Sequence, residues 1–447
     1  MKKIFSITAV ALAVMLTAGC KKFVEGYDVS PNSPSQVSLE VLLTGTQLGT
    51  VANYTGDLGR IPSLLVQQTA GRLFQYGDFQ TYDILESSID NQWQNLYAGG
   101  LINAQQLIDQ AGDANKIYRG IGRVLRAMNL GLATDMWGDI PNTQALGGLA
   151  GEANFNAAYD AQETVIRDIQ STLDAAIADL GSDPATNARV PGTDDIIFGG
   201  DAANWGLAAR VLKARYANRL SKRDAAGSAT TTLAILDAAY LAGLAGNTSD
   251  LMAPFGDATN EWNQWFAFEQ QRAGYLTMNQ FFLDMLASDP RLPLYATGTD
   301  QEPIGPYYGS QNSALPLVTF FEAKFIEAEA ALRAGNPMRA ATAFNAAVTA
   351  NVTKLGVADP GFLAAVAAED AASITLEKIM TQKYIAMFTQ SEVWSDWRRT
   401  NFPTLTPNAG ASIAEIPRRF PSAQNERLYN NKAVIVSDLT QRVWWDQ

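Results

Sequence analysis

The 447-residue chain contains no histidine and a single cysteine. Without histidine there is no Ser-His-Asp or Cys-His catalytic arrangement and no histidine-containing zinc site. One cysteine permits no intramolecular disulfide and no four-cysteine metal cluster. Charge is also sparse, at 17% of residues, and carries no basic excess, since the formal net charge is -12. Nucleic-acid binders displace counterions from phosphate with a basic surface, so no nucleic-acid partner is expected. Beyond the N-terminus no stretch approaches 18 consecutive apolar residues, which excludes a helical membrane span there. No phosphate-cradling glycine loop, Walker-type lysine motif or EF-hand spacing is present. What remains open is a carboxylate-only active site, an oxygen-ligated calcium or magnesium ion, or binding without chemistry.

The chain is rich in apolar and aromatic side chains. Hydrophobic residues make up 47%, including 9 Trp, 15 Tyr and 19 Phe. This composition folds rather than staying disordered. The length exceeds the roughly 250–300 residues at which a single core stops growing, so two lobes or a repeat architecture are expected.

The first twenty residues read as an address. Lys2 and Lys3 precede an apolar run from Ile4 to Leu16, too short for a comfortable membrane span and typical of a secretory signal. Leu16-Thr17-Ala18-Gly19-Cys20 resembles a bacterial lipobox. The expectation is a lipoprotein signal peptide over 1–19, lipid on Cys20, and an extended tether over 20–38, rich in Pro, Ser and Asn.

Apolar residues recur at three- and four-residue steps over about 89–110, 115–137, 159–180 and 203–221, then again over 318–334, 338–355 and 374–389. Gly335-Asn336-Pro337 separates two of these helices. Alanines near their crossing fit a tetratricopeptide-like pair, although a generic bundle satisfies the same periodicity. Between about 243 and 316 the chain turns dense in Gly, Pro, Asn and aromatics, with one short helix near 277–287. Strand signals are short, such as Ile196-Ile197-Phe198 and Val434-Ile435-Val436. The predicted class is mainly α, a scaffold of helix pairs (about 89–137, 159–221, 318–355 and 374–399) with a loop-rich insertion and few short strands.

Several segments point to one family. The lipobox with Cys20-Lys21-Lys22, Asp28-Val29-Ser30-Pro31-Asn32, the run Leu130-Gly131-Leu132-Ala133-Thr134-Asp135-Met136-Trp137-Gly138-Asp139-Ile140-Pro141, and Asp289-Pro290-Arg291-Leu292-Pro293 come in order. Phe321-Glu322-Ala323-Lys324-Phe325, Glu392-Val393-Trp394-Ser395-Asp396-Trp397-Arg398-Arg399 and Ile416-Pro417-Arg418-Arg419-Phe420-Pro421 follow. Together they resemble the SusD/RagB family of nutrient-binding outer-membrane lipoproteins. The resemblance implies a single domain over 39–447 built on four tetratricopeptide-like helix pairs. It also implies a lipid-anchored position on the outer face of the outer membrane, beside a SusC-type TonB-dependent transporter. In that role the protein captures a glycan, or in some members a peptide, and performs no chemistry. A surface calcium ion is compatible with the family, but no run specifies one, and no other cofactor is expected.

Candidate residues divide accordingly. Asp135 and Asp139 are four apart at a helix end and could be the acid and base of a glycosidase, the alternative reading. The structural reading makes Asp139 a cap and pairs Asp135 with an arginine. Trp394 to Arg399 are read as packing and ion pairing, and Trp93 with Tyr97 as core. The loop residues Asn260, Trp262, Asn263, Gln264 and Trp265 join aromatics to side-chain amides, as a sugar platform requires. Tyr307 and Tyr308, and Phe74 and Tyr76, repeat the pattern after glycine-containing turns. These nine are the expected ligand contacts.

Overall fold

The computed structural model describes residues 37–147, 155–298 and 303–447. The expected signal peptide, Cys20 and nearly all of the expected tether lie outside the described residues. The described residues are mainly helical, with three two-stranded ladders. It enters through α1 (Leu39–Thr55) and α2 (Asp57–Leu65), then α3 (Phe74–Gln80). The antiparallel helices α4 (Ile102–Ala111) and α5 (Lys116–Trp137) follow, then α6 (Gln162–Leu180), α7 (Ala202–Asn218) and α8 (Ala225–Leu241). A loop-rich passage holds α9 (Gln264–Gln271). The scaffold resumes with α10 (Phe320–Arg333) and α11 (Pro337–Lys354), then α12 (Leu376–Ala386) and α13 (Glu392–Thr400). A short helix, α14 (Gln424–Tyr429), lies in the long C-terminal tail.

Local chemistry explains where these helices start and cross. The Ser38, Asp201, Asp224 and Thr319 side chains each accept a backbone N–H of the first turn of the helix that follows. Between α10 and α11, Gly335 adopts φ +73°, Asn336 caps the next turn and Pro337 fills its first position. Helix α5 touches α6 and α7, and α10 touches both α8 and α12. At Gly131 on α5 an added Cβ would lie 1.7 Å from the Tyr216 hydroxyl of α7, so only glycine permits that approach. One contiguous apolar core runs from Leu39 to Leu439.

Two helices carry no clear periodic signal in the sequence. The buried face of α1 is half polar: Thr46, Gln47, Thr50 and Asn53 turn inward beside Leu39, Leu42, Leu43, Val51 and Tyr54. Asn129 of α5 answers them, donating to Thr50 Oγ1 at 2.8 Å and accepting from Asn53 Nδ2 at 2.8 Å. Helix α8 is alanine- and threonine-rich with apolar residues all round, and Leu241 is exposed. The expected helix over 89–110 is instead divided. A π-helical stretch, Asn95–Leu101, interrupts it where Gly49 of α1 lies against the Gly99 carbonyl and Gly100 makes room for the Asn129 and Asn53 side chains. Neither expected strand at 196–198 or 434–436 forms. The Asp195 carboxylate takes the N–H groups of Ile197 and Phe198 into a turn, and Val436 bonds Ser422 Oγ in a loop.

The centre of the scaffold is ionic. Arg219, immediately after α7, reaches Asp135 of α5 at 3.0 Å and Glu392 of α13 at 2.5 Å. Arg215 meets Glu322 of α10 at 2.6 Å. Arg399 of α13 bridges Glu329 and Asp396, each at 2.6 Å, and Lys383 of α12 meets Asp396 at 2.7 Å. All of these side chains are buried. Burial pushes the Glu392 carboxyl up, but Arg219, Arg215 and Lys383 outweigh it and hold the group down at about 2. Burial likewise raises Glu329, and Arg399 and Arg333 bring it well below its ordinary value. Asp135 is the exception: burial raises it, Arg219 opposes, and the Glu392 charge adds to the rise.

A carboxylate depressed in the folded state gives stability that is full above its unfolded pKa and lost as pH falls. For Glu392 the window runs from 4.5 down to about 2, worth on the order of 3 kcal/mol. Asp135, shifted the other way, relieves part of that loss. Urea unfolding midpoints should therefore fall steeply below pH 4.5. Glu329→Gln should lower stability at pH 7 and flatten the acid slope. An unchanged slope contradicts the depressed carboxylates.

Candidate functional site

The ladder between β1 (Thr69–Gly71) and β2 (Leu276–Met278) brings two distant loops together. Where it ends, the Phe74 and Tyr275 rings stack, with centroids 5.0 Å apart and planes 27° from parallel. Phe74 is 72% exposed and holds φ +49°. A bulky side chain in left-handed backbone is strained, and such strain concentrates at functional sites. Gln75 and Arg272 are exposed beside the pair.

A buried pedestal supports these rings. Tyr275 meets Phe268 of α9 edge-on at 6.3 Å, and Phe268 packs against Tyr76 at 4.9 Å. The Arg60 guanidinium lies 4.4 Å from the Phe268 ring centre. Arg60 is fixed by Asp57 at 2.7 Å and donates to the Tyr76 hydroxyl at 2.9 Å, which donates to Asp57 at 2.7 Å. Burial pushes the Asp57 carboxyl up, but Arg60 and hydrogen bonds from Tyr76 and Gln92 hold it below its ordinary value. At Gly71 an added Cβ would sit 1.8 Å from the Tyr76 carbonyl oxygen, so this fold of the chain requires glycine there.

The expected contacts fall into two groups. Phe74 and Asn260 are exposed, and Trp262, Gln264 and Tyr307 are half-buried. Trp262 packs edge-on against Phe266 at 5.2 Å and donates from Nε1 to the Asp257 carbonyl. Trp265, Asn263, Tyr308 and Tyr76, by contrast, are enclosed. Trp265 is 3% exposed and packs on Phe388. Asn263 is fully buried, caps α9 through Trp265 and Phe266 N–H, and donates to the Tyr308 and Ser313 carbonyls. Tyr308 sits among Tyr295, Tyr307 and Phe388. The difference has a physical reason: the segment 260–266 is a helix start rather than an open loop, so the residues after its cap turn inward. Tyr307 donates to the Lys354 carbonyl at 3.3 Å.

Sequence reasoning does not single out Tyr275, Phe268 or Arg272. Their signal is the turn Arg272-Ala273-Gly274-Tyr275, which repeats the glycine-then-aromatic pattern noted at Phe74. Asp135 and Asp139 prove to be structural. Asp135 pairs with Arg219, while Asp139 accepts the Gln162 N–H at 2.8 Å at the start of α6. Trp394, Trp397, Arg398 and Arg399 are buried in packing and ion pairs. Among the described residues no group of three or more acidic or cysteine side chains is arranged to hold a metal ion, and no helix is long and apolar enough to cross a membrane.

The architecture defines a class: a mainly helical tetratricopeptide-like scaffold with the exposed Phe74 ring displayed on its loop-rich side. The sequence matches the SusD-like_2 family, described as "Starch-binding associating with outer membrane", over residues 31–314 and 309–421, and the chain belongs to that family. A chitin-binding SusD homolog from Flavobacterium johnsoniae superposes with a TM-score of 0.76 at 21% identity, over 91% of this chain and 98% of that one. A SusD homolog from Bacteroides fragilis gives 0.75 at 21% identity, over 92% and 100%. A SusD/RagB family protein from Bacteroides thetaiotaomicron gives 0.71 at 22% identity, over 92% and 99%. These likenesses show the fold. No curated protein matches the chain by sequence.

Removing the Tyr76 hydroxyl tests the pedestal. Tyr76→Phe takes hydrogen bonds from both Asp57 and Arg60 and should cost about 1.5–3 kcal/mol in urea unfolding. A cost below 0.5 kcal/mol, in the range of a typical surface substitution, would mean that this triad does not hold the platform.

Proposed function

We propose that the protein binds glycans at the surface of the outer membrane and passes them to a SusC-type TonB-dependent transporter, anchored by lipid on Cys20. The observation that carries this reading is the exposed Phe74 ring, stacked on the half-buried Tyr275 and set on a rigid pedestal. A pyranose ring presents an apolar C–H face to such a surface, and the amides and guanidinium around it suit sugar hydroxyls. Phe74 is the primary stacking surface. Trp262, with Asn260 and Gln264, forms a second contact at the start of α9. The enclosed Trp265, Asn263, Tyr308 and Tyr76 act through packing and capping, and Tyr307 steadies its loop. The family description and the chitin-binding homolog from Flavobacterium johnsoniae support a glycan over a peptide.

No acid–base pair is needed for this role. Capture is reversible stacking, and a modest affinity suits onward transfer. Calorimetry with maltohexaose and chitohexaose should find binding to at least one of them without turnover. Phe74→Ala should weaken that binding about tenfold, or ~1.4 kcal/mol. Full affinity in Phe74→Ala would remove the platform, and hydrolysis of either sugar by the pure protein would replace binding with catalysis. Binding of oligopeptides but not sugars, lost in Phe74→Ala, would keep the site and change the ligand.

A further inference from the structure

The aromatic cluster of Trp93 and Tyr97 belongs mostly to the core, but one side of it opens outward. A cavity of about 420 Å³ lies between the helical turn that carries Trp93 and helix α14. This is within the roughly 300–1,000 Å³ of small-ligand sites. Trp93, Tyr97 and Phe155 supply its aromatic surface, and Gln94, Asn425 and Glu426 its polar groups. Phe155 stands 61% exposed, and Gln94 and Asn425 are exposed too.

The walls are held rigidly. One carboxylate, Glu426, accepts from Trp93 Nε1 at 3.2 Å, from the Tyr159 hydroxyl at 3.1 Å and from Asn430 Nδ2 at 2.9 Å. Tyr97 packs on Trp93 at 4.8 Å and donates to the Pro141 carbonyl at 2.8 Å. Among the described residues the lining contains no lysine or arginine. With Glu426 the one charge among them, the cavity disfavours anionic ligands and suits a neutral polyhydroxylated ring. Such a ring meets aromatic edges and faces with its C–H groups and primary amides with its hydroxyls.

Its position relates it to the platform. Gln75, next to Phe74, contacts the Ser88 carbonyl. The same segment also meets the residues of α14: Arg427 pairs with Glu86 at 2.7 Å, and Asn425 N–H donates to Asp90 at 3.1 Å. The two aromatic sites thus both adjoin residues 86–90.

We infer that this cavity is a second, independent subsite for neutral pyranosides, so that one long oligosaccharide, or two short ones, is held at both sites adjoining the Glu86–Asp90 segment. The inference rests on the glycan reading of the platform. Its test uses maltohexaose and chitohexaose with saturation-transfer NMR and calorimetry on three proteins: Phe74→Ala, the surface pair Phe155→Ala/Asn425→Ala, and all three changes combined. Phe74→Ala should keep residual sugar contact, Phe155→Ala/Asn425→Ala should weaken hexasaccharide binding at least fivefold, and the combined protein should lose both. If Phe74→Ala abolishes all contact and Phe155→Ala/Asn425→Ala changes nothing, the subsite is overturned and the platform stands. If Phe74→Ala has no effect while Phe155→Ala/Asn425→Ala removes binding, the subsite stands and the platform falls. Absence of any contact with the unmutated protein overturns both.

Discussion

Arg219 has no water to turn to. Its guanidinium is enclosed between α5, α7 and α13, and two carboxylates share it. Transferring such charges from water is expensive, and their mutual attraction repays the cost only when the geometry is right. A shift of one helix against another would strand a buried charge at several kcal/mol. The network through Arg215, Glu322, Glu329, Lys383, Asp396 and Arg399 therefore acts as a registry device for five helices. It fixes how the scaffold stacks more than it adds to net stability.

That rigidity matters for the loop-rich side. Arg60 and Tyr76 extend the same logic outward, since a charged, hydrogen-bonded pedestal sets the height and plane of the stacked rings. An exposed ring on a floppy loop would lose its binding energy to ordering. Here the strain of Phe74 is absorbed by the ladder between β1 and β2 and by the hydrogen bonds beneath it.

The sequence segments that reveal the family are the segments that build the ionic centre. Asp135 lies in the run ending at Pro141, Glu322 and Glu329 in and just beyond the Phe321 run, and Glu392, Asp396 and Arg399 in the tryptophan-rich one. Buried charges tolerate little change, so the scaffold is legible from a single chain. The ligand surface is less so. Aromatics beside amides mark both a platform and a capped helix start, and at 260–266 the cap explains most of the pattern. Periodicity misses α1 because Thr46, Gln47 and Thr50 interrupt its apolar face between Leu43 and Val51, and Asn129 of α5 hydrogen-bonds Thr50 and Asn53 there. Tyr275 joins Phe74 only through a strand pairing some two hundred residues apart in sequence, which local spacing does not report.

The scaffold and the pedestal together hold the displayed Phe74 ring, the surface proposed to meet sugar. The most direct test is a crystal structure of the protein soaked with maltohexaose or chitohexaose. The account predicts a pyranose ring lying flat on Phe74 in van der Waals contact, at about 4 Å, with Tyr275 and the pedestal unmoved. Sugar rings bound elsewhere while Phe74 stays bare would contradict it.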